Sequence, residues 1–361
     1  MTRRQAPTST SSASPLLTAS KPGDLRIAPI LTLPAVLTEL GVRPQQAFAR
    51  AGVDIGLFQD PEARIAFDAL GRLFEVCVEL THCAHFGLLV GDRFQLTSLG
   101  PLGHLMRHSP SVGDALRSLL LHLHLYDRGA APVLLTSGAD CVILGYSIYR
   151  HATPASAQIS DAAILIGCHI MRELCGASWR PLHTQFSHGP PESTAVYRRL
   201  FRSRVSFNLD VSGMRFPSSV LQRPIEDADA TLHGFLAKAV LEADAKGPMS
   251  FAERVEGVLH QMVLSNTASA DAVSRLFGMS ERTLRRRLND EGKNLMQLVN
   301  AARFELARQL LDNTDLPVSE IAAALQYNDP NAFSRAFRHW ARLSPSQWRG
   351  RRESTSGTLD D

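Results

Sequence analysis

Cysteine is scarce in this chain, which has five cysteines among 361 residues at irregular spacings: Cys77, Cys83, Cys141, Cys168 and Cys175. An odd number of cysteines without a repeated spacing argues against the disulfide framework of a small secreted protein. We therefore expect reduced thiols, most of them in hydrophobic cores.

Long apolar runs are missing as well. No window approaches the roughly 18 apolar residues that a membrane-spanning helix needs, and the first residues contain no apolar signal core. The sequence therefore predicts a cytoplasmic protein with no membrane partner. Its length exceeds what one hydrophobic core usually organises, so we expect at least two domains.

Catalytic signatures are also absent. The chain has no G-x-S-x-G, Walker A, G-x-G-x-x-G or H-E-x-x-H pattern, so we predict that it is not an enzyme and uses no cofactor. One segment does hold metal-ligating residue types, namely Cys77, Glu79, His82, Cys83 and His85. Their spacing matches no compact ligand pattern and a helix would splay them around its axis, so we predict ordinary packing and no metal.

The two ends of the chain differ from the rest. Residues 1–23 consist mainly of Ser, Thr, Pro and Ala, which bury too little apolar surface to offset the entropy lost on ordering. We predict disordered tails at 1–23 and at 353–361.

Helical and strand-like patterns are mixed in the first two thirds of the chain. Apolar residues recur at helical spacing from 27 to about 126 and again from 160 to 174. Two apolar runs, PVLLTS and CVILGYSIY, flank the turn Gly138-Ala139-Asp140 and predict a β-hairpin, and strand-like pieces follow in LHTQFS, RVSFN and GMRFP. This mixture predicts an α+β domain, followed by a return to helix from 224 to about 264.

Net charge is low, at +3, but the positive residues are unevenly distributed. Residues 269–352 contain 14 Lys and Arg against 9 Asp and Glu, whereas residues 1–268 contain 24 against 23. The excess lies in the segment that also carries the most specific motif.

That motif is a helix, a tight turn and a second, basic helix in SADAVSRLFGMSERTLRRRLNDEG. Gly278 can supply the left-handed turn that ends the first helix, and Ser280 can cap the second. Leu284 and Leu288 share one face of the second helix, and the arginines on the other side are Arg282, Arg285 and Arg286. This order predicts a helix-turn-helix unit.

The pattern occurs a second time in PVSEIAAALQYNDPNAFSRAFRHW. Ile321 takes the position of Val273, and Phe333 and Phe337 take those of Leu284 and Leu288. Asp329 can cap the second recognition helix, which has Pro330 in its first turn. The intervening NLMQLVNAARFELARQLLDNT keeps apolar residues on one face and predicts a single stiff helix between the two units.

Residues 255–350 resemble the DNA-binding domain of AraC/XylS-type transcription regulators. The resemblance is carried by IAAALQYNDPNAFSRAFRHWARLSPSQWR, in which the aromatic of LQY, the paired aromatics and the SPSQWR ending fall in register. Two positions depart from the family pattern, because Gln326 and Arg342 stand where the family usually has glycine.

The amino-terminal part is similar to the arabinose-binding-like effector domain of regulators that resemble the ornithine-utilisation regulator. The residues that carry this similarity are LTSLGPLGHLMRHSPSVGDALRSL, the hairpin, and WRPLHTQFSHGPPESTAVYRRLFRSRVSFN. The two resemblances imply an α+β effector-binding or dimerisation domain at 24–245. They also imply an all-α domain at 246–352, with two helix-turn-helix units joined by a long helix.

The resemblance also implies how the second domain meets DNA. Two recognition helices held by a rigid helix can enter successive major-groove segments on one face of the duplex, roughly 34 Å apart. Carried over by position, the candidate DNA-binding residues are Ser280, Arg282, Arg285, Arg286, Asn331, Ser334, Arg335 and Arg338. Arginine suits guanine and asparagine suits adenine, while Arg287, Arg338, His339 and Arg349 are candidates for phosphate contacts.

The implied partners are double-stranded promoter DNA, RNA polymerase and a small-molecule effector of unknown identity and pocket; homodimer formation is left open. The expected function is sequence-specific transcription regulation, with activation favoured. One alternative is a ligand-independent regulator whose amino-terminal domain only dimerises. Another is a small-molecule-binding protein that does not bind DNA.

Overall fold

We analysed a computed structural model of the chain. It describes residues 24–137, 140–148, 153–209, 211–246, 250–264, 268–277, 279–313, 316–325, 327 and 329–356. Of the predicted features, the amino-terminal tail 1–23, the turn residues Gly138 and Ala139, and the turn residues Gly278 and Gln326 lie outside the described residues.

The described residues form sixteen α-helices and seven β-strands. The helices of the first part are α1 (Leu33–Glu39), α2 (Pro44–Ala51), α3 (Phe67–Thr81), α4 (Phe86–Gly91), α5 (Gly100–Arg107), α6 (Val112–His122), α7 (Ser156–Cys175), α8 (Ala195–Phe201) and α9 (Ala230–Lys246). Those of the second part are α10 (Phe251–Leu264), α11 (Ala270–Leu276), α12 (Glu281–Asp290), α13 (Leu295–Asn313), α14 (Val318–Ala324), α15 (Pro330–Ala341) and α16 (Pro345–Ser356). The strands are β1 (Asp24–Arg26), β2 (Arg64–Ala66), β3 (Ala130–Thr136), β4 (Cys141–Ile148), β5 (His183–Gln185), β6 (Arg204–Ser206) and β7 (Gly213–Pro217).

Five strands form one sheet in the order β3-β4-β7-β5-β6. The hairpin of β3 and β4 is antiparallel, with Ala130 opposite Ile148 and Thr136 opposite Val142. β5 and β6 run parallel, whereas β7 is antiparallel to both β4 and β5. The predicted hairpin, the three strand-like pieces and the α+β character of this part are confirmed.

A two-stranded sheet of β1 and β2 was not expected, because β2 lies within 27–126, where the apolar spacing is helical, and β1 is the short segment just before it. Leu25 pairs with Ile65 in this sheet. Strands of three residues are too short to show an alternating pattern, and β1 reaches β2 only because the intervening helices fold back. Sequence periodicity therefore could not reveal this pairing.

Buried side chains form three clusters. The amino-terminal core includes Ile27, Phe48, Phe67, Phe74 and Phe86. The sheet core lies between the five-stranded sheet and α5 to α8 and includes Leu116, Leu165, Phe186, Met214 and Phe216. The carboxy-terminal core includes Val255, Leu259, Leu288, Leu306 and Phe337. All five cysteines are free thiols, and four are buried; burial raises the pKa of Cys77 to about 12.

Two further observations bear on the predicted organisation. In the described part of the chain, no helix combines the length and the apolar character that crossing a bilayer requires. The last helix continues to Ser356, so the carboxy-terminal tail predicted to begin at 353 starts inside a helix. The other domain limits stay predictions.

Candidate DNA interface

The first helix-turn-helix unit consists of α11 and α12. The Ser269 hydroxyl accepts a hydrogen bond from the Ala272 N–H at 3.2 Å and caps α11. The Ser280 hydroxyl accepts one from the Thr283 N–H at 3.3 Å and caps α12, as its position predicts. Such caps satisfy N–H groups that have no partner within the helix, and they fix where each helix starts.

The two faces of α12 differ in exposure as predicted. Leu284 and Leu288 have no exposed surface and belong to the carboxy-terminal core. Arg282, Arg285 and Arg286 are exposed on the opposite side. The Arg285 side chain is 69% exposed and lies 3.1 Å from a Glu281 oxygen. An exposed ion pair of this kind contributes at most about 1 kcal/mol, so it can open when an anion approaches.

Residues in and just after the carboxy-terminal half of α12 contact α10. The guanidinium of Arg287 lies 5.4 Å from the centre of the Phe251 ring, which is a cation–π contact. The Glu291 carboxylate accepts hydrogen bonds from the N–H groups of Phe251 at 2.8 Å and Ala252 at 2.7 Å. Burial raises the pKa of Glu291, but these backbone hydrogen bonds outweigh it and lower the pKa below its usual value. Arg287 therefore helps to orient α12. Its side chain is exposed, and the phosphate contact expected of it stays a prediction.

The second unit, α14 and α15, repeats this construction. The Asp329 carboxylate caps α15 by accepting hydrogen bonds from the N–H groups of Asn331 at 2.9 Å and Ala332 at 3.2 Å. Phe333 and Phe337 are fully buried, as is Ile321 on α14. The predicted cap and core residues of this unit are confirmed.

The exposed face of α15 holds most of the candidate residues. Asn331, Arg335 and Arg338 are exposed, and Ser334 is half-buried. The Arg335 side chain is 75% exposed and lies 3.9 Å from a carboxylate oxygen of Asp329. His339 is also exposed. Arg349 donates a hydrogen bond to the carbonyl oxygen of Leu316 and so anchors α16; the phosphate contact expected of it stays a prediction.

The helix α13 joins the two units without interruption from Leu295 to Asn313. Leu298, Ala302, Leu306 and Leu310 are buried along one face, as their spacing predicts. The Trp348 indole N–H of α16 donates to an Asp312 carboxylate oxygen at 2.7 Å, which holds the end of α13. A continuous, packed helix keeps the two recognition helices at a fixed separation.

Arg342, at the end of α15, adopts a left-handed backbone conformation with φ of 61°. Its N–H donates to the Arg338 carbonyl oxygen at 2.9 Å and closes the helix. A side chain other than glycine is strained in this conformation, which gives the family's preference for glycine at this position a physical reason.

We therefore expect Arg342→Gly to raise the free energy of unfolding by up to about 1 kcal/mol, because glycine adopts positive φ without strain. Chemical denaturation followed by circular dichroism measures the change. Arg335→Gly, inside the same helix, is the control and should lower the free energy by about 1 kcal/mol. Equal destabilisation by both substitutions would contradict the strain at Arg342.

A group of charged residues that sequence reasoning missed connects the two parts of the chain. An Asp244 carboxylate oxygen on α9 lies 2.7 Å from His124 Nε2, and the other oxygen lies 2.8 Å from an Arg254 nitrogen on α10. Burial raises the pKa of Asp244, but the hydrogen bond from His124 and the charge of Arg254 outweigh it and lower the pKa. His124 lies 120 residues before Asp244 in the sequence, so no local pattern could bring these residues together.

The described residues contain no group of three or more His, Cys, Asp or Glu side chains arranged to hold a metal ion. In the segment that holds metal-ligating residue types, Glu79 forms an ion pair with Arg50 on α2. Cys77 is fully buried in the amino-terminal core. Glu79 therefore links α3 to α2, and Cys77 contributes to apolar packing.

Comparisons with known proteins identify the families and relatives that this chain resembles. Residues 41–225 match a family model described as the arabinose-binding domain of AraC transcription regulator, N-term, and residues 273–351 match a helix-turn-helix domain. The HTH-type transcriptional regulator VirS of Mycobacterium tuberculosis is 25% identical over 315 residues, which cover 87% of this chain and 93% of that protein. The ornithine utilization regulator of Pseudomonas aeruginosa is 26% identical over 324 residues, with coverage of 87% and 93%. The crystal structure of the transcriptional regulator CdpR from Pseudomonas aeruginosa covers 85% of this chain and 96% of that chain, at 21% identity and a TM-score of 0.41.

Proposed function

Because this chain belongs to the AraC family of transcription regulators, we propose that it reads promoter DNA with α12 and α15. The observation that carries the proposal is the repeated construction of these helices. Each has a capped start, two fully buried residues on its inner face and exposed polar residues on its outer face. Such a helix presents its amino-terminal half to base edges in the major groove.

Different residues serve different contacts in this proposal. Arg282, Arg285 and Arg286 contact bases through α12, and Asn331, Ser334 and Arg335 do so through α15. Ser280, at the start of α12, and Arg338, in the last turn of α15, bind phosphates, which position the protein without reading sequence. The guanidinium fork matches guanine O6 and N7, whereas the asparagine amide matches adenine N6 and N7.

Regulation requires partners beyond DNA. We propose that the chain acts in the cytoplasm without catalysis, activates transcription by contacting RNA polymerase, and responds to a small molecule held by its α+β domain. A homodimer would double the number of bound recognition helices. The ligand acts only through the difference between its affinities for the two conformational states.

The experiment compares DNA binding by the wild type and by Arg285→Ala/Arg286→Ala. Fragments upstream of the protein's own gene and its neighbours are tested by fluorescence anisotropy at two salt concentrations. We expect tight wild-type binding to one fragment that survives competitor DNA, and a loss of at least roughly tenfold in the double variant, since each arginine contact discriminates by about 1–3 kcal/mol.

The matched control is Arg198→Ala/Arg199→Ala, which removes two adjacent exposed arginines from α8 in the α+β domain. This variant changes the net charge equally and should bind like the wild type. Equal losses in the two variants, or wild-type binding that is equally weak on every fragment and fades with salt, would show a nonspecific basic surface.

A further inference from the structure

The α+β domain contains an apolar cavity of about 100 Å³. It lies where the amino-terminal core meets the sheet core. Leu70 and Phe74 line it from the first core, and Phe94, Leu119 and Met214 line it from the second. Unfilled space between two cores forfeits packing contacts, so a molecule that fills it gains them.

One wall of the cavity is a face of α7. Ile159, Ala163, Ile166 and Ile170 line it, and their spacing of three and four residues places them along one side of the helix. Ala163 and Ile166 are half-buried. The wall therefore combines a small side chain with larger ones, and its shape can be altered by single substitutions.

Few polar atoms line this cavity. Only Tyr126, Asp127 and Tyr146 bring polar side-chain atoms among the described residues that line it. The Asp127 carboxylate already accepts hydrogen bonds from the Tyr146 hydroxyl and from the Gly129 N–H. Of the polar side-chain atoms in this lining, the buried Tyr126 hydroxyl lacks a hydrogen-bond partner within the described part of the chain, so a molecule with several hydroxyls or a charge would leave most of its polar groups unpaired, and each such group weakens binding by roughly tenfold or more. These walls therefore suit neither a sugar nor an amino acid.

The volume of the cavity also limits the size of the ligand. An engineered apolar cavity of ~150 Å³ binds benzene, and this cavity is somewhat smaller at about 100 Å³. The fitting occupant is an uncharged molecule of the size of one aromatic ring or a short alkyl chain.

The cavity shares a wall with a cleft that faces the DNA-binding domain. Residues 123–132, here called the linking segment, supply Leu123, Tyr126, Asp127 and Pro132 to the cavity. Asp127 and Pro132 also line the cleft, together with residues of α10 that include Glu253 and Arg254.

The linking segment also contacts charged groups outside the cavity. His124 binds Asp244, which in turn binds Arg254 of α10. Arg128, which is 8% exposed, lies 3.8 Å from a Glu253 oxygen. A molecule that moves Leu123 or Tyr126 therefore acts on the segment whose residues His124 and Arg128 form ion-pair contacts with α9 and α10.

We propose that this cavity binds a small, uncharged, apolar effector, and that the linking segment transmits its presence to the DNA-binding domain. This inference rests on the proposed regulatory function. It adds the chemical class of the effector and the segment through which its binding reaches the DNA-binding domain. Binding stabilises the folded chain because the ligand has no site in the unfolded one.

Thermal unfolding of the full chain, without DNA, tests the site. Toluene and n-pentane are the probes, and L-arabinose and L-ornithine are the polar comparators. At a few times Kd, we expect an apolar probe to raise Tm by roughly 2–4 °C, with no shift from the polar comparators. Ala163→Leu should abolish the shift by filling the cavity. Ala157→Leu, the same change on α7 away from the cavity, should keep it.

A second variant keeps the test decisive if Ala163→Leu fails to fold. Ile166→Ala enlarges the cavity, so naphthalene should raise the Tm of this variant more than that of the wild type. A shift from L-arabinose or L-ornithine as large as that from toluene would overturn the ligand class. The absence of any shift from the apolar probes would overturn the site.

DNA binding tests the transmission separately. Toluene should change wild-type affinity for the specific fragment at least roughly threefold, whereas Arg128→Ala should retain the Tm shift and lose this change. A Tm shift without any change in wild-type affinity would overturn transmission through the linking segment. Failure of the wild type to bind any fragment specifically, with or without toluene, counts against the proposed function and leaves the Tm result to decide the site.

Discussion

Phe337→Ala should lower the free energy of unfolding of the carboxy-terminal domain by about 3–5 kcal/mol, the range for removing a buried phenylalanine ring. Phe337 is fully buried. Its ring centre lies 5.6 Å from that of Phe304 on α13 and 5.8 Å from that of Trp348 on α16. One side chain thus joins the second recognition helix to the connecting helix and to the last helix. Urea unfolding followed by tryptophan fluorescence measures the loss, since Trp348 is in direct contact.

The neighbouring Arg338→Ala is the control, because this side chain is exposed and its removal should change stability by less than about 0.5 kcal/mol. Only Phe337→Ala should disturb the position of α15. The loss of unfolding free energy should therefore be confined to this variant, whereas Arg338→Ala removes a candidate DNA contact without changing stability. A loss below about 1 kcal/mol in Phe337→Ala would mean that this aromatic cluster does not hold the second unit together.

The DNA-binding units are the part of this fold that the sequence predicts well. In each unit the capping residue lies only a few residues before the buried pair of the same helix. Ser280, for example, precedes Leu284 and Leu288. Capping and helical periodicity are local rules, so one short segment contains everything needed to apply them. The exposed candidate residues follow from the same geometry, although their contacts with bases stay predictions.

The coupling between the two parts of the chain could not be predicted in this way. His124, Asp244 and Arg254 meet only after the α+β domain has folded. In the structure His122 is buried, and burial lowers its pKa to about 4, whereas His124 binds Asp244. The cavity is equally invisible in the sequence, because side chains from distant elements define it.

Asp127→Asn should change how stability depends on pH. Asp127 is 3% exposed, and burial raises the pKa of its carboxyl to about 6, although hydrogen bonds from the Tyr146 hydroxyl and the Gly129 N–H partly oppose the shift. In the unfolded chain the pKa is ~3.9. The folded state therefore holds this proton more tightly, so the contribution is fully present below about pH 4 and is lost as pH rises to about 6. Relative to Asp127→Asn, the wild type should lose about 2 kcal/mol of unfolding free energy between pH 4 and pH 7.

The comparison between variants isolates this group, because all other titrating residues are common to both proteins. Asp244→Asn provides the control of opposite sign. The folded-state pKa of Asp244 is lowered, so its contribution is present above the unfolded pKa and is lost as pH falls. Relative to Asp244→Asn, the wild type should lose this contribution as pH falls below about 4, the unfolded pKa. Urea unfolding at pH 2, 3, 4, 5, 6 and 7 measures both differences. Parallel curves for wild type and Asp127→Asn would show that Asp127 ionises in the folded chain as it does in water, and that the wall shared by the cavity and the cleft is hydrated.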